Sequence, residues 1–240
     1  MSAPRAGTVY LVPNLLGAIA PQAVLPARTI DIARRLRRFV VETPKPARAF
    51  VKSLASCYPL SGIDFAVLDQ HTPRRRIAEL LAPALAGEDL GVLSDAGCPG
   101  VADPGALLVA AAHDAGITVA PLVGPSAPLL ALMASGMNGQ SFAFHGYLPV
   151  RADLRAAALK RLDGQAQQSG ATQIFIETPY RNAAIVAAAL EVCRRETRFC
   201  VAADLTLPTE QVVSRRIAAW RAAPPIDWSK RPAMFLLGRD

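Results

Sequence analysis

Five short apolar runs recur along the first half of the chain, each rich in the β-branched and aromatic residues that strands favour. The segments between the runs carry apolar residues at the spacing of amphipathic helices. Consecutive parallel strands need a long, usually helical, crossover, so this alternation predicts a parallel sheet flanked by helices. The five predicted strands are "TVYLV" (8–12), "RFVVE" (38–42), "DFAVL" (64–68), "LGVLS" (90–94) and "ITVAPL" (117–122).

A second set of strand-like runs begins after "ASGMNGQ", near residues 137–140. The runs are "SFAFHGYL", "TQIFIE", "RFCVAADL", "EQVVSRRI" and "AMFLLG". The last of them are too closely spaced for a helix at every crossover, which favours a mixed sheet. The chain is therefore predicted to be an α/β protein of two domains, an N-terminal parallel-sheet domain (1–138) and a C-terminal mixed α/β domain (139–240).

Residues 115–144 contain no charged side chain, a stretch long enough on its own to cross a bilayer. Several glycines and prolines interrupt it, and the polar groups of "ASGMNGQ" would lack hydrogen bonds in hydrocarbon. We therefore expect a buried strand, a turn and a buried helix here, and no membrane partner.

The composition is that of a globular protein, with 52% hydrophobic and 19% charged residues. Its four cysteines form no CxxC pair and have no cysteine–histidine spacing suited to a metal, so no metal site is expected. Unpaired cysteines are typical of a reducing compartment. The stretch "MSAPRAGTVYLVP" also lacks the longer hydrophobic run of a secretory signal, so we expect a cytoplasmic protein.

The net charge of +7 favours an anionic partner, because a positive field attracts phosphates and carboxylates alike. RNA and a small anionic substrate both fit. The arginines occur in short groups and not in one block, which is equally compatible with a solvated face and with a nucleic-acid patch.

Four unusual loops follow predicted strands, where ligands bind in open α/β sheets. "SDAGCPGVADPG" follows the fourth strand, "VGPSAP" the fifth, "ETPK" the second, and "ETPYRN" a strand of the second half. Asp103, Thr43 and Thr178 each precede a proline, as helix N-caps do. Capping leaves Asp95, Cys98 and the length of the first loop unexplained, so that loop is predicted to hold a ligand.

The chemistry of this loop narrows the ligand. The chain has neither a GxxxxGK[ST] phosphate loop nor a GxGxxG dinucleotide fingerprint, which disfavours a nucleotide-binding oxidoreductase. Carboxylates repel phosphate but accept hydrogen bonds from ribose hydroxyls or an ammonium group. S-adenosylmethionine combines an adenine, a ribose, an ammonium and a sulfonium cation without phosphate, and it is the predicted ligand.

The motifs "LSDAGCPGVADPG", "VAPLVGPSA", "FAFHGYLP" and "IFIETPYR" occur in this order. In that order they resemble the tetrapyrrole methylase superfamily of S-adenosylmethionine-dependent methyltransferases, above all its ribosomal RNA branch, which methylates a cytidine ribose 2'-hydroxyl. The resemblance implies a homodimer, two α/β domains with the cofactor in the cleft between them, and S-adenosylhomocysteine as product. The cofactor residues it implies are Ser94, Asp95, Ala96, Gly97, Cys98, Val101, Asp103, Pro104, Gly124, Pro125, Ser126, Thr178, Tyr180, Asp204, Leu205 and Ala233.

Two loops depart from the ribosomal RNA branch of this family. The branch carries "TPIGNL" after the first strand and "EDTR" after the second, where this chain has "VPNLLG" and "ETPK". Those loops face the methyl acceptor in the family. The acceptor therefore stays open between an RNA ribose hydroxyl, a tetrapyrrole or other small molecule, and none at all in a non-catalytic cofactor-binding module.

A hydroxyl acceptor calls for a general base or a nearby cation. The predicted catalytic residues are Glu42, Lys45 and His145, with a surface ion pair and a structural histidine as the alternatives. Arg48, His71 and Arg181 are predicted to bind substrate, the arginines through their bidentate forks.

Overall fold

The computed structural model describes residues 6–239, apart from the side chain of Arg74, and divides into two compact units. Most of the stretch considered for a secretory signal lies within these limits, but its first five residues lie outside them. The first unit ends at Ser126 and the second begins at Ala127. The domain boundary expected after residue 138 lies beyond the helix Ala127–Ser135, which groups with the second unit.

The first unit is built on a five-stranded, wholly parallel sheet of order β3-β2-β4-β1-β5. All five predicted strands are confirmed. The strands are β1 (Thr8–Val12), β2 (Arg38–Val41), β3 (Asp64–Val67), β4 (Leu90–Leu93) and β5 (Thr118–Pro121). The helices are α1 (Ala27–Arg35), α2 (Pro44–Ser53), α3 (Arg74–Leu85) and α4 (Gly105–Asp114), with 3-10 turns at Pro21–Ala23 and Leu60–Gly62.

Helices cover both faces of this sheet. Ile30 of α1 and Phe50 of α2 pack with Phe39 of β2 on one face. Leu81 of α3 packs with Val40 on the opposite face, in a core to which α4 also contributes. Successive strand residues point to opposite faces, so β2 supplies both cores and is buried from Phe39 onwards.

The second unit contains a mixed sheet of order β6-β7-β10-β8-β9, as predicted. Only the β6–β7 pair is parallel. The strands are β6 (Phe142–Tyr147), β7 (Thr172–Glu177), β8 (Arg198–Ala203), β9 (Gln211–Arg216) and β10 (Ala233–Gly238). The helices are α5 (Ala127–Ser135), α6 (Ala152–Ser169), α7 (Asn182–Val192) and α8 (Ile217–Ala222), with a 3-10 turn at Pro179–Arg181. Stacked rings of Phe175, Phe199 and Phe235 form the centre of the core.

The charge-free stretch forms β5, a turn and α5, as expected. The prediction that both elements are buried is only partly right, because β5 is an edge strand and α5 exposes Leu129 (49%) and Met133 (78%). Among residues 6–239 the structure has no helix of the length and hydrophobicity needed to cross a membrane.

Candidate functional site

The strand order of the first sheet brings four loops to one edge. β1 and β4 lie at its centre, flanked by β2 and β5, and all five strands run in the same direction. The loops after β1, β2, β4 and β5 therefore gather at their carboxyl ends, where open α/β sheets bind ligands. The residues predicted from the sequence to contact cofactor in the first unit all lie in two of these loops, 94–104 and 124–126.

Asn14, which the sequence analysis missed, anchors the loop 94–104. Its backbone N–H donates to the carbonyl of Gly97 at 2.9 Å. Its side-chain amide donates to the carbonyls of Ser94 and Asp95, each at 3.0 Å. With only 5% of its surface exposed, Asn14 holds the start of the loop from beneath. Its only signal in the sequence is its position just after the first strand.

The Asp95 carboxylate joins the same loop to helix α2. It accepts hydrogen bonds from the Thr43 N–H at 3.1 Å and from the Thr43 hydroxyl at 2.8 Å. Thr43 occupies the N-cap position before Pro44, as predicted, but its side chain makes no capping bond to the helix. Asp95 and its neighbour Ala96 remain exposed, as does Val101, so this part of the loop faces solvent.

Asp103 braces the far end of the loop. One carboxylate oxygen accepts the N–H groups of Gly100 and Gly105 at 2.8 and 2.7 Å. Helix α4 begins at Gly105 with Pro104 at its N-cap, so the cap predicted at Asp103 lies one residue too early. The other oxygen, Oδ2, is buried without a hydrogen-bond partner among the described residues.

Three residues of this loop have a left-handed backbone. Gly97, Gly100 and Ala102 have φ values of 68°, 82° and 61°. Only glycine adopts this conformation at no cost, and an alanine there is strained by about 1 kcal/mol. The hydrogen bonds made by Asn14 and Asp103 are the surrounding structure that maintains this strained conformation.

The turn after β5 packs closely against the loop after β1. A Cβ atom on Gly124 would lie 2.4 Å from Cβ of Pro13, so no other residue fits without movement. The Cys98 thiol is 3.4 Å from the Pro125 carbonyl, which links the turn to the loop 94–104. Burial raises the pKa of Cys98, so this thiol is protonated at neutral pH. The third predicted cofactor residue of the turn, Ser126, is partly exposed.

Three carboxylates share this edge, and the pKa values of two of them are raised. Burial raises the pKa of Glu42, and the charges of Asp95 and Asp103 raise it further, while a backbone N–H of Asp95 opposes them. Burial also raises the pKa of Asp103, against the two glycine N–H groups. A cavity of about 10 Å³ lies between Glu42, Ser94 and Asp103. That volume is roughly the minimum for one water molecule.

The other predicted residues of the first unit lie on its exterior. Lys45 and Arg48 are exposed on α2, and the ion pair considered between Glu42 and Lys45 does not form in the described part of the chain. The Arg48 guanidinium lies 5.6 Å from the centre of the Phe65 ring. His71 is exposed after β3, in a turn held by a hydrogen bond from its N–H to Asp69.

A second set of predicted residues gathers at one edge of the sheet in the second unit. Ala233 of β10 pairs with Glu177 at the end of β7 and with Ala203 at the end of β8. The segments that contain Thr178, Tyr180, Asp204 and Leu205 follow these strand ends directly. Tyr180 is 86% exposed, whereas Asp204, Leu205 and Ala233 are each less than a tenth exposed.

Ion pairs maintain the backbone at this second edge. Arg181 pairs with Glu177, which is 2% exposed and also accepts the Thr178 N–H at 2.7 Å. Substrate binding by the same guanidinium would compete with this buried carboxylate. Asp204, with φ of 52°, pairs with Arg231 at 2.8 Å. Sequence reasoning missed Arg231, whose partner lies 27 residues away along the chain.

His145 is engaged by a structural partner. Its Nε2 atom lies 2.7 Å from Oε1 of Gln173 on the neighbouring strand. The next residue, Gly146, has φ of 64° where the β6–β7 register shifts. The arrangement favours the structural alternative for this histidine.

Metal ligands do not cluster in the described residues. No group of three or more histidine, cysteine or acidic side chains there has an arrangement that would hold a metal ion. All four cysteines are free.

Solved methyltransferases share this two-unit fold. The methyltransferase CobJ superimposes with a TM-score of 0.64 at 20% identity, covering 98% of this chain and 95% of CobJ. Uroporphyrin-III C-methyltransferase from Thermus thermophilus, complexed with S-adenosylhomocysteine, gives 0.53 at 19% identity, covering 97% of each chain. The fold is therefore that of the two-domain methyltransferases. The chain belongs to the family Tetrapyrrole (Corrin/Porphyrin) Methylases, whose model matches residues 22–219.

Curated relatives carry the name ribosomal RNA small subunit methyltransferase I. The protein from Mesorhizobium japonicum is 38% identical over 60% of this chain and 47% of its own length. The protein from Micromonospora olivasterospora is 33% identical over 88% of this chain and 63% of its own length. For the Vibrio cholerae protein the values are 30%, 95% and 76%. The chain thus spans about half to two thirds of the first two relatives.

Proposed function

We propose that the protein is an S-adenosylmethionine-dependent methyltransferase that modifies the ribose 2'-hydroxyl of a ribosomal RNA nucleotide. The names of the curated relatives support RNA as acceptor. The bound S-adenosylhomocysteine of a structural neighbour supports the cofactor. The observation that carries the proposal is the loop 94–104, whose strained backbone and exposed Asp95 form a polar rim at the carboxyl edge of the sheet.

The residues at both edges suit the cofactor chemically. Asp95 offers an acceptor for a ribose hydroxyl or an ammonium group, and loop 94–104 and turn 124–126 expose backbone groups. Of this set, Ser94, Gly97 and Pro125 are buried, and we propose that they act by fixing the backbone. In the second unit the proposed cofactor residues are Thr178, Tyr180, Asp204, Leu205 and Ala233. When bound, S-adenosylmethionine supplies an electrophilic methyl group on its sulfonium.

Glu42 is the proposed general base. Its raised pKa brings it nearer to neutral pH, where a base both exists as carboxylate and accepts a proton readily. With the cofactor bound, Glu42 would accept the hydroxyl proton as the ribose oxygen forms its bond to the methyl carbon. The bond from that carbon to the sulfonium sulfur would break in the same step, leaving S-adenosylhomocysteine. Lys45, exposed on α2 three residues further along the chain, is the proposed cation for the neighbouring phosphate. His145 is not proposed as the base, because its Nε2 atom already lies within hydrogen-bond distance of Gln173.

Titration of S-adenosylhomocysteine into the protein tests the cofactor. We expect a binding isotherm, weakened in Asp95→Asn more than in the surface control Asp31→Asn. Because Asp95 also bonds Thr43, urea unfolding of both variants separates lost binding from lost folding. The absence of heat at millimolar ligand would remove the cofactor assignment, and normal binding by Asp95→Asn would remove that residue's role.

Transfer of labelled methyl groups tests the acceptor. Small ribosomal subunits from a strain lacking the gene, and uroporphyrinogen III, are offered separately to the enzyme. A 2'-O-methylated ribose blocks alkaline cleavage of the following phosphodiester, so the label should appear in alkali-resistant dinucleotides. Label in a base, or in the tetrapyrrole, would replace the ribose acceptor. Cofactor binding without transfer to any acceptor, or to cell extract, would favour the non-catalytic module.

We further propose a cytoplasmic homodimer. The four free cysteines fit a reducing compartment. In the second unit Met133, Tyr147 and Val150 expose 78%, 57% and 73% of their surface, and we propose that a second copy of the chain covers them. Light scattering should give twice the 25.4 kDa mass of the chain, and a monomer mass at micromolar concentration would reject the dimer.

A further inference from the structure

Nearly all of the net charge of the chain lies in one segment. Residues 27–63 contain eight lysines and arginines but only two acidic residues, Asp31 and Glu42, a net charge of +6. The whole chain has a net charge of +7. The segment therefore has a strong surplus of cations, of which, among the described residues, Arg38 alone is paired with acids outside it, Asp64 and Glu88. Such a surplus attracts anions.

The fold spreads these cations over one face of the first unit. Helices α1 and α2 pack on the same side of the sheet. The Arg34 Nε donates to the Ala55 carbonyl at 2.9 Å, which joins the end of α1 to the loop after α2. We define the basic face as Arg34, Arg35, Arg37, Lys45, Arg48 and Lys52. All but Arg34 are exposed, and Arg34 is partly so.

Two guanidinium groups of the basic face are oriented by aromatic rings without being neutralised. Arg37 lies 4.1 Å from the centre of the Tyr58 ring, and Arg48 lies 5.6 Å from that of Phe65. Stacking on an aromatic face orients a guanidinium and leaves its charge and edge N–H groups available. None of the six has a salt bridge within the described part of the chain, whereas the neighbouring Arg38 pairs with Asp64 and Glu88.

The opposite face of the same sheet differs in charge. On α3 the Arg76 side chain pairs with Glu79 at 3.0 Å. Helix α4 contains neither lysine nor arginine. Among the described side chains, α1 and α2 therefore carry more unpaired cations than α3 and α4, although single exposed cations such as Arg75 and Lys160 lie elsewhere.

The pattern of side chains fits a nucleic acid better than a membrane. A helix that lies on a bilayer turns its apolar residues outward. The apolar residues of α2 turn inward instead, with Ala47, Phe50 and Val51 buried in the core. Exposed guanidinium and ammonium groups bind the phosphates of a nucleic acid and need no exposed apolar helix face.

The basic face also leads to the candidate site. Helix α2 spans ten residues, about 15 Å, and begins at Pro44, two residues after Glu42. We propose that the basic face binds the phosphate backbone of the RNA that flanks the methyl acceptor. The inference rests on the proposed function in one respect, that the acceptor is RNA.

Removal of three charges from this face tests the inference. The variant Arg37→Gln/Arg48→Gln/Lys52→Gln is compared with Arg75→Gln/Lys160→Gln/Arg161→Gln, which removes three exposed charges elsewhere. Binding of a fluorescein-labelled 20-nucleotide RNA is followed by anisotropy between 50 and 200 mM salt. Each phosphate contact contributes about 0.7 to the slope of log affinity against log salt for single strands. We expect the slope of the first variant to fall by about 2, with at least ~10-fold weaker binding at low salt. The control should change less than ~2-fold.

A further variant and two further measurements distinguish the possible results of this experiment. Arg37→Lys/Arg48→Lys preserves charge and should retain most of the salt slope, even if the glutamine variant folds poorly. Equal loss of RNA binding in the control, or an unchanged slope in the test variant, would overturn the inference. A test variant that no longer binds phosphatidylserine vesicles but still binds RNA would also overturn the inference, because the basic face would then bind a membrane. The affinity of the same variants for S-adenosylhomocysteine should equal that of the parent protein. If the parent protein itself did not bind S-adenosylhomocysteine, that result would count against the proposed function alone.

Discussion

The two sheet edges that carry the predicted cofactor residues differ in the partners of their carboxylates. At the edge of the first unit Glu42, Asp95 and Asp103 have no cationic partner among the described residues and are held by N–H and hydroxyl groups. At the edge of the second unit, Glu177 and Asp204 each pair with an arginine. Burial without a cationic partner raises the pKa of Glu42 and of Asp103, whereas the paired carboxylates of the second edge hold the backbone. We therefore expect the proton chemistry at the first edge and structural support at the second.

The largest effect should come from breaking the buried pair of the second edge. Arg181→Ala leaves the Glu177 carboxylate, 2% exposed, without its cation. Removing one partner of a buried pair costs about 3–5 kcal/mol, because the remaining charge is uncompensated. Urea unfolding monitored by tryptophan fluorescence measures the loss.

The matched control for this change is Arg151→Ala, which breaks the exposed pair with Asp153. An exposed pair contributes about 0–1 kcal/mol, so this variant should unfold almost as the parent protein does. Equal losses in the two variants would mean that Glu177 relaxes to solvent, and the contrast between the two edges would fail.

A smaller loss should follow from crowding the first edge. Gly124→Ala places a methyl group 2.4 Å from Cβ of Pro13, so the turn 124–126 must move. Overpacking of this kind costs about 1–3 kcal/mol. The affinity for S-adenosylhomocysteine should fall along with the free energy of unfolding.

Gly139→Ala is the control, because its added methyl group meets nothing within 4 Å and its backbone is not left-handed. A surface change of this kind stays within about 0.5 kcal/mol. If Gly124→Ala unfolds and binds like the control, the close packing of the loops after β1 and β5 is not needed for the site.

The smallest effect concerns the pH dependence of stability. The pKa of Glu42 is raised in the folded state above its ordinary value of 4.5, so the folded protein binds this proton more tightly than the unfolded chain. As pH rises from 4.5 through the folded pKa, ionisation of Glu42 lowers the free energy of unfolding. Glu42→Gln keeps the acceptor for the Asp95 N–H and removes the charge. It should be more stable than the parent at pH 7, by less than about 1 kcal/mol because water reaches the side chain.

Below pH 4.5 the parent protein and Glu42→Gln should unfold alike, because Glu42 of the parent is then protonated in both the folded and the unfolded state. Thermal unfolding across the pH range measures the difference. A variant less stable than the parent at neutral pH would show that the ionised form of Glu42 is the favoured one. Methyl transfer by Glu42→Gln should fall at the same time if Glu42 is the base.

The strands of both sheets were predictable because local signals define them. Each of the first five is a short apolar run followed within a few residues by proline, glycine or polar residues, and the spacing of the last ones indicated a mixed sheet. The start of α4 was predicted one residue early, since Asp103 bonds the first helical N–H from outside the N-cap position.

Partners that are distant in the chain were not predictable. Asn14 contacts carbonyls about 80 residues away, and the unfamiliar motif "VPNLLG" gave no sign of that role. Gln173 is 28 residues from His145, and Arg231 is 27 from Asp204. The Glu177–Arg181 pair has helical i, i+4 spacing and was within reach of sequence reasoning, but a substrate role was expected for the arginine.

The central place of β1 has a consequence for how the chain folds during synthesis. β1 pairs with β4 and β5, which emerge from the ribosome more than 75 and 100 residues later. Until then its backbone has no partner within this sheet, and Asn14 has no loop to hold. Contacts of such long sequence separation form slowly. The strained loop 94–104 is therefore expected to reach its final conformation only after the central strands have paired, with an exposed strand edge and a risk of misassembly in the interval.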